Sequence, residues 1–268
     1  MTSISLAFSP CPNDTFIFDA MVHHKIDTEG VDFNYRMADV EELNQMALRE
    51  KMDMTKVSYH AWLYLRENYF LLDSGSAMGF GSGPLVIAKK HFSLNELDNL
   101  TIAVPGALTT ANLLLKIFLP KAGGKMIMVF NEIEDAVLNG FADVGVIIHE
   151  NRFTYQDKGL VKITDLGEQW EHTTQCPIPL GAIVVRRSLG TDMITRLNRI
   201  MKRSVEYAMA NPDSSLSFVS ENAQEMDQTV MRRHIELYVN EFTADIGETG
   251  RKAIKKLLEL TSEIIEHG

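Results

Sequence analysis

Four apolar runs in this 268-residue chain each stop at a side chain that can do chemistry. Ser9 follows Ile4 to Phe8, and Ser58 closes Met54 to Ser58, with Lys56 inside that run. Thr109 and Thr110 come one short loop after Thr101 to Val104, and His149 follows Val144 to Ile148. An imidazole titrates near neutrality and can take and return a proton. Hydroxyls and the N–H groups of helix starts after Pro12 and Thr109 can hold a carboxylate or a developing oxyanion, and Lys56 adds a positive charge. One histidine at a strand end would as readily be structural. Four strand ends of one grammar argue for a shared crevice, because ligands of open α/β sheets collect beyond the carboxyl ends of the strands. The chemistry suits a small carboxylated molecule.

Other candidates carry less. Gly79 to Gly83 reads G-x-G-x-G, but it precedes a strand and opens no helix, so the dinucleotide context fails and a hinge or turn is expected. No Walker A sequence is present. His149-Glu150 opens like a zinc-protease motif, yet Phe153 stands where the second imidazole belongs. His23 and His24 are adjacent and diverge on a helix, so no metal site is expected. Cys11 lies just before a helix start that could favour a thiolate, which makes it a minor nucleophile candidate beside the commoner inert, buried thiol.

The elements needed to position these residues are legible as alternation. Short apolar runs buried on both faces, each followed by a helical pattern, imply α/β architecture with mainly parallel sheets flanked by helices. In the C-terminal third, Ile194, Leu197, Met201, Val205 and Ala208 form one helical stripe that ends at Asn211-Pro212. Two further helices are expected, one through Met226, Val230 and Val239, the other through Ile254, Leu257, Leu258 and Ile265. All three read as scaffold. Gly79 to Pro84 and Pro177 to Gly181 look like two crossings that form a hinge between lobes. Residues 1–86 and 184–268 would make a discontinuous first lobe, and 87–183 an inserted second one.

Composition narrows the class. Lys and Arg number 26 against 36 Asp and Glu, a net charge of −10 that argues against a nucleic-acid partner. Hydrophobic residues at 45% exclude disorder. No run approaches the ~18 apolar residues of a membrane span. Two cysteines and an N-terminus without the features of a secretory signal lead to the expectation of a cytoplasmic protein. The oligomeric state is not indicated.

The stretch Ser9-Pro10-Cys11-Pro12-Asn13-Asp14-Thr15-Phe16 resembles the signature of the 1,4-dihydroxy-6-naphthoate synthase family of the futalosine route to menaquinone. The resemblance continues in order through Thr55 to Tyr59, Gly83 to Val86, Val104-Pro105-Gly106 with Thr109 to Ala111, Ile147 to Tyr155, Pro179 to Ile183 and Tyr238 to Asn240. It implies the two-lobed, type II periplasmic-binding-protein-like fold without an export signal. The implied activity is a cofactor-independent lyase that converts cyclic dehypoxanthine futalosine to 1,4-dihydroxy-6-naphthoate and dihydroxyacetone. Carried over by position, His149 is the implied base. Lys56, Val57, Ser58, Thr109, Thr110 and Ala111 are the implied substrate contacts, with Ser9, Asn13 and Asp14 on the opening loop. His60 departs from the pattern, where a small residue is expected, and would alter a pocket wall or nothing. The competing expectations are a chorismate dehydratase-like enzyme of the same fold and a solute-binding protein with no chemistry.

Overall fold

The strand-to-helix units form where the residue types demand them. Strand β1 (Thr2–Phe8) leads into helix α1 (Pro12–Val22), whose first position is a proline that loses no useful N–H. Strand β3 (Met54–Ser58) leads into α3 (Tyr59–Leu65), and the Ser58 hydroxyl accepts the Ala61 N–H at 3.2 Å. Strand β7 (Ile102–Val104) precedes α4 (Thr110–Phe118), where the Thr109 hydroxyl accepts from Asn112 N at 3.3 Å. Each cap satisfies a donor that the first helical turn leaves unpaired. The computed structural model describes residues 2–223 and 227–266.

Two sheets organise the chain. The first runs β2 (Val31–Met37), β1, β3, β11 (Ile178–Arg186), β4 (Tyr69–Leu71), with β5 (Ala77–Gly79) also pairing β11. The second runs β10 (Val161–Asp165), β6 (Leu85–Ala88), β9 (Val144–Ile147), β7, β8 (Lys125–Ile127). The sequence expectation of mainly parallel sheets is corrected, because both are mixed. β1 pairs parallel with β2 and β3, and β7 with β8 and β9. The connecting strands run the other way: β6 is antiparallel to β9 and β10, and β11 to β3, β4 and β5. A strand buried on both faces has the same composition in either direction, so composition could not reveal this. β6 belongs wholly to the second sheet and β11 wholly to the first, so the expected cuts after residues 86 and 183 fall inside strands.

Helices cover the sheets in layers. α1 is buried at every position, between the first sheet and α8 (Thr191–Ala210), α9 (Leu216–Asn222) and α10 (Gln228–Tyr238). The expected α8 stripe is buried and ends at Asn211. Met226 lies outside the described residues, and the helix expected through it is α10, which begins at Gln228. The last helix, α12 (Gly247–Glu266), contains the expected Ile254 to Ile265 segment. Remaining helices are α2 (Val40–Leu48), α5 (Ile133–Leu138), α6 (Asn151–Thr154), α7 (Leu166–Thr174) and α11 (Glu241–Ala244). Tyr59 and Trp62 of the α3 region, Leu113 and Leu114 of α4, Trp170 of α7 and Leu257 of α12 belong to one buried cluster. That cluster joins the two sheets.

The first crossing is clamped. A Cβ on Gly83 would lie 2.2 Å from the Gly167 Cα, so the two backbones touch where only glycine fits. Arg152 donates to the Gly83 carbonyl at 2.7 Å and reaches Asp165 at 3.6 Å. Gly83 is therefore a packing residue, while Gly81, at φ +66° with open space around it, makes the turn.

Candidate active site

The carboxyl ends of β1, β3, β7 and β9 converge on a cleft of about 650 Å³, counting its open mouth. It is lined from the first sheet by Ser9, Asn13, Asp14, Lys56 and Ser58, and from the second by Thr109, Thr110, Ala111 and His149. Val57 does not line it. Side chains alternate along β3, so Lys56 and Ser58 face the cleft while Val57 points into the core. His60 is also behind the wall. Its Nδ1 lies 3.1 Å from the Thr109 carbonyl oxygen and its N–H donates to the Thr110 hydroxyl at 3.4 Å, which ties α3 to the start of α4.

The opening loop is arranged around a carboxylate the chain itself provides. Asp14 accepts from Lys56 Nζ at 2.6 Å, Ser9 Oγ at 2.7 Å, Asn13 Nδ2 at 2.9 Å and Ser9 N at 3.3 Å. Lys56 and Asp14 are both buried. The anion expected at the α1 start is thus internal, and the Lys56 charge is already matched. Gly181 makes room for this: a Cβ there would stand 2.6 Å from Lys56 Cε. At the other lobe the start of α4 faces the cleft, and its first N–H groups have no intrahelical acceptors.

His149 stands two residues beyond β9, with φ +59°, a left-handed backbone that costs a residue with a Cβ about 1–3 kcal/mol. Its ring packs edge-on to Phe130 at 4.7 Å and near-parallel to His234 at 6.0 Å. Its Nδ1 is 3.5 Å from the Cys11 sulfur. Burial pulls the His149 pKa down to about 4, with Asp14 opposing and Lys56 adding to the fall. The ring is therefore neutral at pH 7 and can accept a proton. Burial, reinforced by Glu150, pushes the Cys11 thiol well above its ordinary range, so it remains a thiol and makes a poor nucleophile.

Several residues here were quoted from the sequence only within crossings or the family resemblance, not as site residues. Tyr238, Leu180, Gly181, Ser82 and Pro84 line the cleft, and the buried Ser82 hydroxyl has no hydrogen-bond partner among the described residues. His234 and Tyr238 sit four apart on α10, a helix read as scaffold, and so share the face that packs behind the site. Their spacing was the available signal.

A cleft between two mixed α/β sheets, walled by capped helix starts, with the chain passing twice from one sheet to the other, defines the class of periplasmic-binding-protein-like folds. The alkanesulfonate-binding protein SsuA from Xanthomonas axonopodis pv. citri, bound to MOPS, superposes with a TM-score of 0.72 at 10% identity, covering 98% of this chain and 93% of that one. At that identity the likeness concerns the fold. Protein AF1704 from Archaeoglobus fulgidus superposes at 0.93 with 35% identity over 98% of both chains. The family described as menaquinone biosynthesis matches residues 4–263, and the chain belongs to it. Two relatives carry the name 1,4-dihydroxy-6-naphthoate synthase. The one from Streptomyces coelicolor is 46% identical over 262 residues, covering 96% of this chain and 92% of the relative. The one from Thermus thermophilus is 43% identical over 258 residues, covering 96% and 93%.

Proposed function

We propose that this chain is a 1,4-dihydroxy-6-naphthoate synthase, a lyase that converts cyclic dehypoxanthine futalosine to 1,4-dihydroxy-6-naphthoate with release of dihydroxyacetone. The observation that carries the reading is a neutral, half-buried His149 on the cleft wall, in a chain that aligns over 96% of its length with two synthases. Forming the aromatic bicycle requires proton removal beside carbonyl or carbinol carbons, then carbon–carbon and carbon–oxygen cleavage. With Nδ1–H directed at the Cys11 sulfur, a weak acceptor, Nε2 keeps the lone pair that takes the proton. The start of α4 at Thr110 and Ala111 receives the substrate carboxylate, and the Ser82 hydroxyl meets a substrate oxygen. Asp14 and Lys56 act as one unit that shapes the floor and orients Ser9.

The substrate bridges the two lobes, and turnover requires neither metal nor organic cofactor. We place the enzyme in the cytoplasm. Cys11 and Cys176 are free and buried, and no helix among the described residues is long and apolar enough to cross a membrane. The test is purified protein with the cyclic futalosine derivative and no additions, following naphthoate by absorbance and dihydroxyacetone in equal amount. Turnover of chorismate in its place would assign the chain to the dehydratase reaction. Binding without product would assign it to the solute-binding class.

A further inference from the structure

The imidazole missing four residues after His149 is supplied by the fold from α10. One ligand atom from each of His149, Glu150 and His234 lies within 4.8 Å of the others. The hydrogen bonds determine which His234 nitrogen is available. Asn13 donates its amide N–H to Asp14, so its Oδ1 must accept, and it does so from His234 Nε2 at 2.9 Å. The proton of the neutral ring is then on Nε2, and Nδ1 carries a lone pair. That Nδ1 is fully buried, has no hydrogen-bond partner among the described residues, and faces Glu150 Oε2 at 3.5 Å. An imidazole lone pair turned toward a carboxylate oxygen inside the protein is the arrangement a cation satisfies. The Nε2–H held by an amide oxygen is the outer support that metal-ligating histidines generally have.

We propose that His149, Glu150 and His234 form an inhibitory site for a borderline-soft divalent cation, Zn²⁺ above all. Two imidazoles and a carboxylate are a common zinc donor set, and of the three ligands His149 lines the cleft, through which an ion can enter. A metal there takes the His149 lone pair, so it blocks proton abstraction; this consequence rests on His149 being the base. The inhibitor sits on the catalytic residue without taking part in the reaction.

The experiment uses chelator-stripped full-length protein titrated with Zn²⁺, and with Co²⁺ for its visible ligand-field bands. One equivalent per chain is expected. Turnover should fall in step with Zn²⁺ occupancy and return when chelator is added. His234→Gln should weaken binding by about a hundredfold or more. Glu150→Gln, which keeps the side-chain size, supplies the same reading should His234→Gln fold poorly. The site is overturned by no equimolar binding, the result expected if only a proton joins His234 and Glu150. It is equally overturned by Co²⁺ bands that persist in both variants. The metal spectra do not depend on turnover. A chain that binds Co²⁺ at these residues yet makes no naphthoate even when stripped of metal would sink the catalytic reading and leave the metal site standing.

Discussion

At the scale of single residues, the site separates a proton acceptor from the groups that hold it. His149→Asn keeps size and some hydrogen bonding but removes the acceptor, so kcat should fall by about two to four orders of magnitude with the fold intact. Near-normal turnover in that variant would falsify the assignment. The pH profile is a second check. Because burial sets the free-enzyme pKa of His149 at about 4, kcat/KM should hold level from neutrality down to pH 5 and fall only toward pH 4. An acid limb at the ordinary imidazole value near 6.5 would show that the base is exposed or another group. Asp14 makes a different kind of contribution. It is buried against Lys56 at 2.6 Å, so Asp14→Asn leaves an uncompensated ammonium in the interior. A loss of about 3–5 kcal/mol in unfolding free energy is expected, measured by urea denaturation. A loss below 1 kcal/mol would mean that the pair is solvated in solution.

At the scale of elements, the short polar endings of β1, β3, β7 and β9 and the caps that follow them do the positioning. The residues that cap α3 and α4, Ser58 and Thr109, also face the cleft. The Gly79 to Pro84 crossing shows how one sequence feature supports two structural readings. As a hinge it would tolerate a methyl group; as a backbone contact it cannot, because the Gly83 and Gly167 backbones leave no space. Gly83→Ala should destabilise the protein by about 2–3 kcal/mol, seen as a lower thermal midpoint, with Gly81→Ala as a control for turn strain. A neutral Gly83→Ala would restore the hinge reading.

For the molecule as a whole, three histidines, His60 and His234 buried and His149 half-buried, make stability depend on pH. His60 and His149 are pulled down to about 4, and His234 well below its ordinary value, all chiefly through burial. In the unfolded chain each takes up its proton near 6.5. Below that pH the unfolded state binds more protons, so the stability present in full above 6.5 drains away as pH falls toward 4. The slope is about 1.4 kcal/mol per pH unit for each histidine taking part. Urea midpoints at pH 7.5, 6 and 5 test this, and an unchanged midpoint across that range would contradict the burial. The shared apolar cluster bears on motion. Opening the lobes widely would expose Trp62, Trp170 and their neighbours. Scattering with and without product should therefore give closely similar radii of gyration, and a clear contraction on binding would show that this layer shears.

What the chain determined by itself was local and periodic. The apolar run followed by a small polar residue and a helix start specifies a strand, a cap and the chemistry presented at the strand's end, and the motif around Ser9 to Phe16 marks the family. Ser9, Ser58, Thr109 and His149 were legible for that reason, as was the α8 stripe. Strand direction was not, because β6 and β11 are buried on both faces and read alike either way. Nor were the partners that arrive from a distance. Asp14 neutralises Lys56 across 42 positions, and His234 reaches Glu150 from 84 positions away, because β3 lies beside β1 and α10 packs on α1. Charge balance, burial and hydrogen-bond direction depend on distances through space. Only the packed tertiary structure could pair a cleft lysine with a buried carboxylate, or make a helix histidine a neighbour of His149.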